Sequence, residues 1–240
     1  PGGDLVASLA VLREATEKIS RAGAIAVVLG GDHSIASADV AGIANHLGHG
    51  KVSMIHFDAH ADTGEDQWGA LVGHGTPMRR LIDEGYVRGD KFLQLGLRGY
   101  WPDNKTLMWM RDQGMRSYEM TEIHHRGLKE VLDESFATLT DGCDGVFLSV
   151  DIDVVDPGMA PGTGTPEPGG MTSRELLEAV RRICLELPVV GIDVVEVAPA
   201  FDSADITAIL ANRVVLEALS AIAKRRNGSP YDPKQNLLDR

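Results

Sequence analysis

Short runs of uninterrupted apolar residues alternate along the chain with longer stretches in which apolar residues recur at helical spacing. The runs at 24–29, 52–57, 92–97, 145–150 and 189–195, and a shorter one at 115–119, read as buried strands punctuated by Gly, Pro and acidic residues. Helices are expected from residue 5 onward, at 35–47 with Ser34 as a cap, for about ten residues from Pro77, and at 105–113, 127–139, 172–187 and 205–225. Gly228, Pro230 and Pro233 mark a frayed tail. Strands that are apolar throughout, rather than alternating, are covered on both faces. The expected fold is therefore a single α/β domain over residues 1–240, a three-layer α/β/α sandwich around a mostly parallel sheet.

In a parallel sheet every strand-to-helix loop lies along one edge, which is where such folds bind ligands. His33, Asp58, His60, Asp62, His74, Asp151, Asp153 and Glu196 all fall on that edge. In extended backbone, residues two apart point the same way, so Asp58, His60 and Asp62 can converge, and Asp151 and Asp153 repeat the pattern. Residues 63–73 have no period and read as a loop over the strand ends. The Gly- and Pro-rich segment 158–170 reads as an ordered loop near the same place, with Asp156 beside Pro157 shaping its entry.

Four aspartates and two histidines exceed what one cation needs. Four carboxylates on one divalent ion leave two negative charges uncompensated, which is costly away from water. Two cations about 3.5 to 4 Å apart balance them and acidify a shared water toward a pKa of roughly 7, supplying hydroxide at neutral pH. Oxygen and imidazole donors without thiolate suit Mn2+, with Ni2+, Co2+, Fe2+ and Zn2+ as alternatives. The residues thus point to metal-assisted hydrolysis. Glu196, on the same edge but outside the donor set, points to a cationic group on the substrate. A binuclear phosphoesterase is disfavoured, because the G-D-x-x-D and G-N-H elements of that class do not occur here. A mononuclear zinc site of deacetylase type is disfavoured by the surplus of carboxylates.

Composition narrows the picture further. The 240 residues are 43% hydrophobic, enough for one core, and a net charge of −12 argues against a nucleic-acid or anionic-membrane partner. No window approaches the roughly 18 uninterrupted apolar residues of a membrane span. The first apolar patch lacks a basic leader and continues as an amphipathic helix rather than a secretion signal. Cys143 and Cys184 stand far apart and predict no disulfide framework, which suits a reducing, cytoplasmic setting.

The segments Gly30-Gly31-Asp32-His33-Ser34, Asp58-Ala59-His60-Ala61-Asp62, 149–157 (SVDIDVVDP) and 193–199 (DVVEVAP) together resemble the ureohydrolase family, and 161–166 (PGTGTP) with 73–77 (GHGTP) resemble its agmatinase and guanidinobutyrase branch more than arginase proper. The resemblance implies an arginase-like fold, two Mn2+ ions, and hydrolysis of a small guanidino compound to urea and an amine. It implies one metal on His33, Asp58, Asp62 and Asp151 and the other on His60, Asp58, Asp151 and Asp153. His74 would pass a proton to the leaving amine, and Glu196 would pair with the guanidinium. Assembly as a homotrimer or homohexamer is implied as well. Family members usually carry several tens of residues before the opening helix, including an edge strand and a loop over the substrate. That departure keeps a second expectation open, a non-catalytic subunit of the same fold with a role in assembly.

Among the remaining polar residues, His56 is expected in the core or behind the metal ligands, and His46, His49, His124 and His125 in solvent. Asp32 is expected to orient its turn or His33, and Asp193 to support the metal shell. Tyr100 and Trp101 either line the substrate tail or anchor their loop. Arg79-Arg80 either greets a carboxylate or lies on a solvated face.

Overall fold

The computed structural model describes residues 4–228. Six strands form one sheet, β1 (Ala26–Leu29), β2 (Val52–Phe57), β3 (Val87–Leu97), β4 (Arg116–Glu119), β5 (Gly145–Asp151) and β6 (Val189–Val195), in the order β1-β6-β5-β2-β3-β4. Every pairing is parallel. The expected tail from Pro230 lies outside the described residues.

The helices are α1 (Leu5–Arg21), α2 (Ala36–Leu47), α3 (Pro77–Asp83), α4 (Asn104–Asp112), α5 (Met120–Arg126), α6 (Leu128–Thr140), α7 (Ser173–Glu186) and α8 (Ile206–Arg226). One apolar cluster joins Val40, Ile43, Met78 and Leu81 of α2 and α3 to Met54, Phe92 and Phe147. The other joins Leu132, Leu176, Ile183 and Val214 of α6, α7 and α8 to Ile55, Leu148 and Ile192. Alternate residues of the same strands feed both clusters, so β2 and β5 are buried along their whole length, as a doubly covered sheet requires.

Local chemistry sets the boundaries. Asp4 and Asp103 cap α1 and α4 by accepting from Ala7 N and Thr106 N. Thr172 and Glu175 complete the capping box that opens α7. Ser34 does not cap α2; it lies inside a 3-10 turn, His33–Ile35, whose cap is Asp32. Where α1 crosses α2, a Cβ on Gly42 would come within 2.1 Å of Thr16 Oγ1 and 2.3 Å of Arg13 O, so only glycine lets the helices approach this closely.

Helix α8 is long and apolar enough to cross a membrane by length and composition. Its Leu210, Val214, Ala218 and Ile222 are buried in the core, however. Both cysteines are free, Cys184 buried and Cys143 half-buried.

The order of the strands has one functional consequence. From β2 the chain moves outward through β3 and β4, then returns to place β5 on the other side of β2. The carboxyl ends of β2 and β5 therefore flank the point where the winding reverses, the crevice that open α/β sheets use for ligands.

Candidate metal centre

Strand β2 delivers Asp58 directly past Phe57, and β5 delivers Asp151, with the two strands in register at Phe57 and Val150. Each segment then leaves extended geometry. Asp151 Oδ1 accepts from Asp153 N (2.9 Å) and caps the 3-10 turn Ile152–Val154. Asp58 Oδ1 accepts from His60 N (2.6 Å), and Asp62 takes a left-handed conformation at φ 52°. Ala59 N donates to Asp153 Oδ1 (3.0 Å), tying the two turns together. His33 enters from the third side, on the turn after β1.

The six expected ligands meet in two groups that share Asp58. His33 Nδ1 stands 3.1 Å from Asp58 Oδ2, 3.2 Å from Asp62 Oδ2 and 3.1 Å from Asp151 Oδ2. His60 Nδ1 stands 3.0 Å from Asp153 Oδ2 and 3.4 Å from Asp58 Oδ1. Each oxygen of Asp58 thus serves a different histidine. All but His60 are buried.

His56, expected behind the ligands, is buried on β2 with Nε2 2.8 Å from Asp58 Oδ2 and Nδ1 3.1 Å from Gln94 Nε2. Its position gives the first group a further nitrogen, since donor atoms of His33, His56, Asp58 and Asp62 lie within 4.8 Å of one another. Asp193 reaches the site through Ser149, whose Oγ lies 2.9 Å from His33 Nε2 and 2.7 Å from Asp193 Oδ1. Asp32 acts on its own turn, accepting from Ser34 N. His49, His124 and His125 are exposed as expected, whereas His46 is half-buried with Nδ1 2.8 Å from Ser20 Oγ.

The titration of the cluster shows how strongly it needs positive charge. Burial, then the Asp58 charge, push Asp62 up to about 7 and Asp153 up to about 6. Burial and the charges of Asp153 and Asp58 hold Asp151 well above the ordinary carboxylate range. Burial would raise Asp58 too, but His56, His33 and His60 hold it well below. Burial would lower His60, yet hydrogen bonds to Asp153 and Asp58 carry it up to about 11. Carboxylates that repel one another and draw protons onto both imidazoles form a hard, anionic donor set, which fits a pair of divalent cations.

A cavity of about 320 Å³ opens above the cluster, lined by His60, Asp62, Asp151, His74 and Glu196 and, at the mouth, by Asp66, Gln67, Trp68, Trp101 and Thr165. Glu196, at φ 62°, accepts from His33 N through Oε1 (2.7 Å). Tyr100 is fully exposed and does not line the cavity; Trp101 does. Arg79 and Arg80 reach Asp83 at 3.2 and 3.0 Å, and the Arg79 guanidinium lies 4.3 Å from the centre of the Trp109 ring.

Two loops wall the cavity, and they are held differently. The loop after Asp62 closes on itself: Gly64 N donates to Gly75 O, Gln67 and Ala70 exchange backbone bonds, Gly75 N donates to Gln67 Oε1, and Thr76 Oγ1 donates to Leu71 O. The loop 158–170 is fastened from below by Arg98, whose guanidinium donates to the carbonyls of Gly96, Asp153, Val154, Glu167 and Pro168. Arg98 had no motif to reveal it. Its one sequence signal is a cation directly after an apolar strand.

The arginase-family model matches residues 2–221. The chain is 39% identical to the mitochondrial agmatinase of Gallus gallus over 213 residues, 88% of this chain and 61% of that one. It is 35% identical to the guanidinobutyrase of Pseudomonas aeruginosa over 219 residues, 91% of this chain and 67% of that one. Among solved structures, the formimidoylglutamase of Bacillus subtilis superposes with a TM-score of 0.88 at 33% identity, covering 96% of this chain and 70% of that one. The chain thus spans roughly three-fifths to two-thirds of the length of these curated relatives.

Proposed function

The chain belongs to the arginase family, and from that membership we propose that it hydrolyses a small guanidino compound to urea and an amine with the help of two divalent cations. The observation that carries the proposal is the paired cluster at the sheet's reversal point, in which Asp58 turns one oxygen to the His33 group and the other to the His60 group. His33, Asp58, Asp62 and Asp151 would hold one cation, and His60, Asp58, Asp151 and Asp153 the other, with His56 steadying Asp58. The hard oxygen and imidazole donors favour Mn2+, with Ni2+, Co2+ and Zn2+ as alternatives. Bound there, the pair supplies Lewis-acid polarisation and an acidified water.

The chain's own residues do the rest. Glu196 spends Oε1 on His33 N and keeps Oε2 for the guanidinium, so recognition of the substrate is built onto the turn that carries a ligand. His74, half-buried in the cavity lining, delivers a proton to the nitrogen of the departing amine.

The mouth favours an agmatinase-like substrate, with an ammonium at the far end of the chain, over a guanidinobutyrase-like one ending in carboxylate. Asp66 offers a charge partner, and Trp68 and Trp101 offer ring faces to a cation. The Arg79-Arg80 pair is committed to Asp83 and Trp109 instead. A cytoplasmic homotrimer or homohexamer completes the reading, supported by the two free cysteines and by exposed apolar residues such as Ile209, Leu216 and Leu219 on α8.

The test is product release from a panel of guanidino amines, guanidino acids and formimidoyl compounds by the Mn2+-loaded protein. Urea from the guanidino amines, fastest with an ammonium tail, is the expected result. Formamide alone would move the protein to formimidoyl chemistry, and no product from any compound would leave the fold serving assembly only.

A further inference from the structure

Behind the His33 turn lies an acid that the reaction does not use. Asp39 sits in α2 with its side chain fully buried, in a helix otherwise lined by Ala36, Val40, Ile43 and Ala44. Its Oδ1 accepts from Val40 N (2.6 Å). The equally buried carboxyl of Asp193, on the strand β6 against which α2 packs, is the charge that acts most strongly on it. Asp193 Oδ1 is doubly occupied, accepting from Ser149 Oγ (2.7 Å) and Val150 N (3.2 Å). The other oxygen of each acid, Asp39 Oδ2 and Asp193 Oδ2, has no N–H or O–H donor among the described residues.

Two neighbouring buried carboxylates do not both stay ionised, and a buried acceptor without a donor is costly. One proton between the two orphaned oxygens satisfies both. It belongs on Asp39, which burial and then the Asp193 charge raise well above the ordinary range. Asp193 is raised by burial but opposed by His33 and by its bonds from Ser149 and Val150. The charged and titratable groups facing the pair are thus His33 from the 3-10 turn and the two acids themselves.

Directions of donation follow from there. With a cation in place of the proton on Nδ1, the remaining ring hydrogen of His33 is on Nε2, which donates to Ser149 Oγ. Ser149 then donates to Asp193 Oδ1, which leaves Asp193 Oδ2 as the acceptor for a proton on Asp39 Oδ2. Each donor is fixed by the one behind it, and the line ends in the core of α2.

We propose that Asp39 and Asp193 hold one proton between them, and that this pair, acting through Ser149, fixes the tautomer and ring orientation in which His33 offers Nδ1 to a cation. Asp39 is a positioning residue, and the assignment rests on the reading of His33 as a metal ligand. Groups that orient a liganding histidine from behind alter metal affinity by about 10- to 100-fold when removed.

The experiment compares Asp39→Asn, Asp39→Ala and Ser149→Ala with the wild type, by calorimetry with Mn2+ and by infrared difference spectra of the loaded proteins. In Asp39→Asn the amide donates as the protonated acid did. Its Mn2+ dissociation constant is expected within about twofold of wild type, and the carbonyl band of a buried carboxylic acid disappears. Asp39→Ala and Ser149→Ala are each expected to raise the dissociation constant about tenfold or more. Should Asp39→Ala fail to give a cooperative melt, Ser149→Ala carries that arm. A carboxylic acid band that survives in Asp39→Asn would overturn the proposal, as would Asp39→Asn loosening Mn2+ as much as Ser149→Ala does. If the wild type binds no Mn2+, the metal reading fails by itself, and the infrared comparison of the unloaded proteins still decides whether the two acids share a proton.

Discussion

The two edges of the sheet are made of the same six strands but are built on opposite rules. At the amino edge, helix-to-strand turns take left-handed backbone at Gly23, Gly48, Gly50, Gly85, Gly114 and Gly142, where the absence of a Cβ makes that conformation inexpensive. At the carboxyl edge glycines take it too, at Gly30, Gly31, Gly69, Gly99 and Gly169, but so do Asp62, Trp68, Glu196, Ala204 and Asp205, and among the described residues no other non-glycine residue has it. Three of these five non-glycine residues line the cavity. Strain is thus concentrated where side chains have to be aimed, and avoided where the chain only has to turn. The carboxyl edge also collects Asp58, Asp62, Asp151 and Asp153, whose mutual repulsion works against the fold. One edge is optimised for stability and the other gives some of it up.

The largest test of that contrast removes a charge from the strained edge. Asp153→Asn keeps an oxygen for Ala59 N but takes a negative charge from the His60 group. Turnover should fall on the order of 10³-fold while the thermal melt stays cooperative, the scale seen when one preorganised electrostatic group is lost. An unchanged rate would show that Asp153 is no ligand. Next in size is Glu196→Gln, which retains the bond from His33 N and loses the charge meant for the guanidinium. About 2 kcal/mol, close to thirtyfold in kcat/KM, should be lost.

Proton competition gives the third effect. Below about 7 and about 6, Asp62 and Asp153 carry protons that a cation must displace. Folded-state pKa values raised this way make cation binding weaken as pH falls, by about tenfold per pH unit for each proton displaced. His60, held up to about 11, extends the slope above neutrality. Calorimetric Mn2+ titrations between pH 5.5 and 8.5 should show affinity rising throughout, and a flat profile would mean that protons and cations do not compete for these atoms.

The smallest effects compare the edges directly by denaturant melts. Gly85 has open space where a Cβ would stand, so Gly85→Ala isolates backbone strain and should cost about 1 kcal/mol. Ala204→Gly should raise stability by roughly 0.5 kcal/mol, the strain relieved less the chain entropy lost. Equal signs at the two positions would dissolve the contrast.

Much of this layout is legible in the sequence because burial on both faces leaves an unbroken apolar run, as in β2 and β5. Strand β3 starts earlier than its apolar run, at Val87, since Arg88 and Asp90 alternate outward and mimic a turn. Helix α5 has no sequence signature because its seven residues bury only Ile123, too few to show a period. The residues expected to hold metal stand out because they follow directly on apolar strands, although they converge through the turns after β2 and β5 rather than through extended spacing. Asp39, Ser149 and Gln94 do not stand out, because each acts across strands or layers, and local sequence does not encode which element will be packed alongside. A serine inside the apolar run 145–150 was the one available signal.

The different tethering of the two cavity walls bears on how this protein could acquire a new preference. The wall held by Arg98 is inherited together with the turn of Asp153, so altering it disturbs the chemistry. The wall formed by the loop after Asp62 is bonded mostly to itself and carries Asp66 and Trp68. It can be exchanged as a cassette, revising which tail is welcome while the cluster beneath stays as it is.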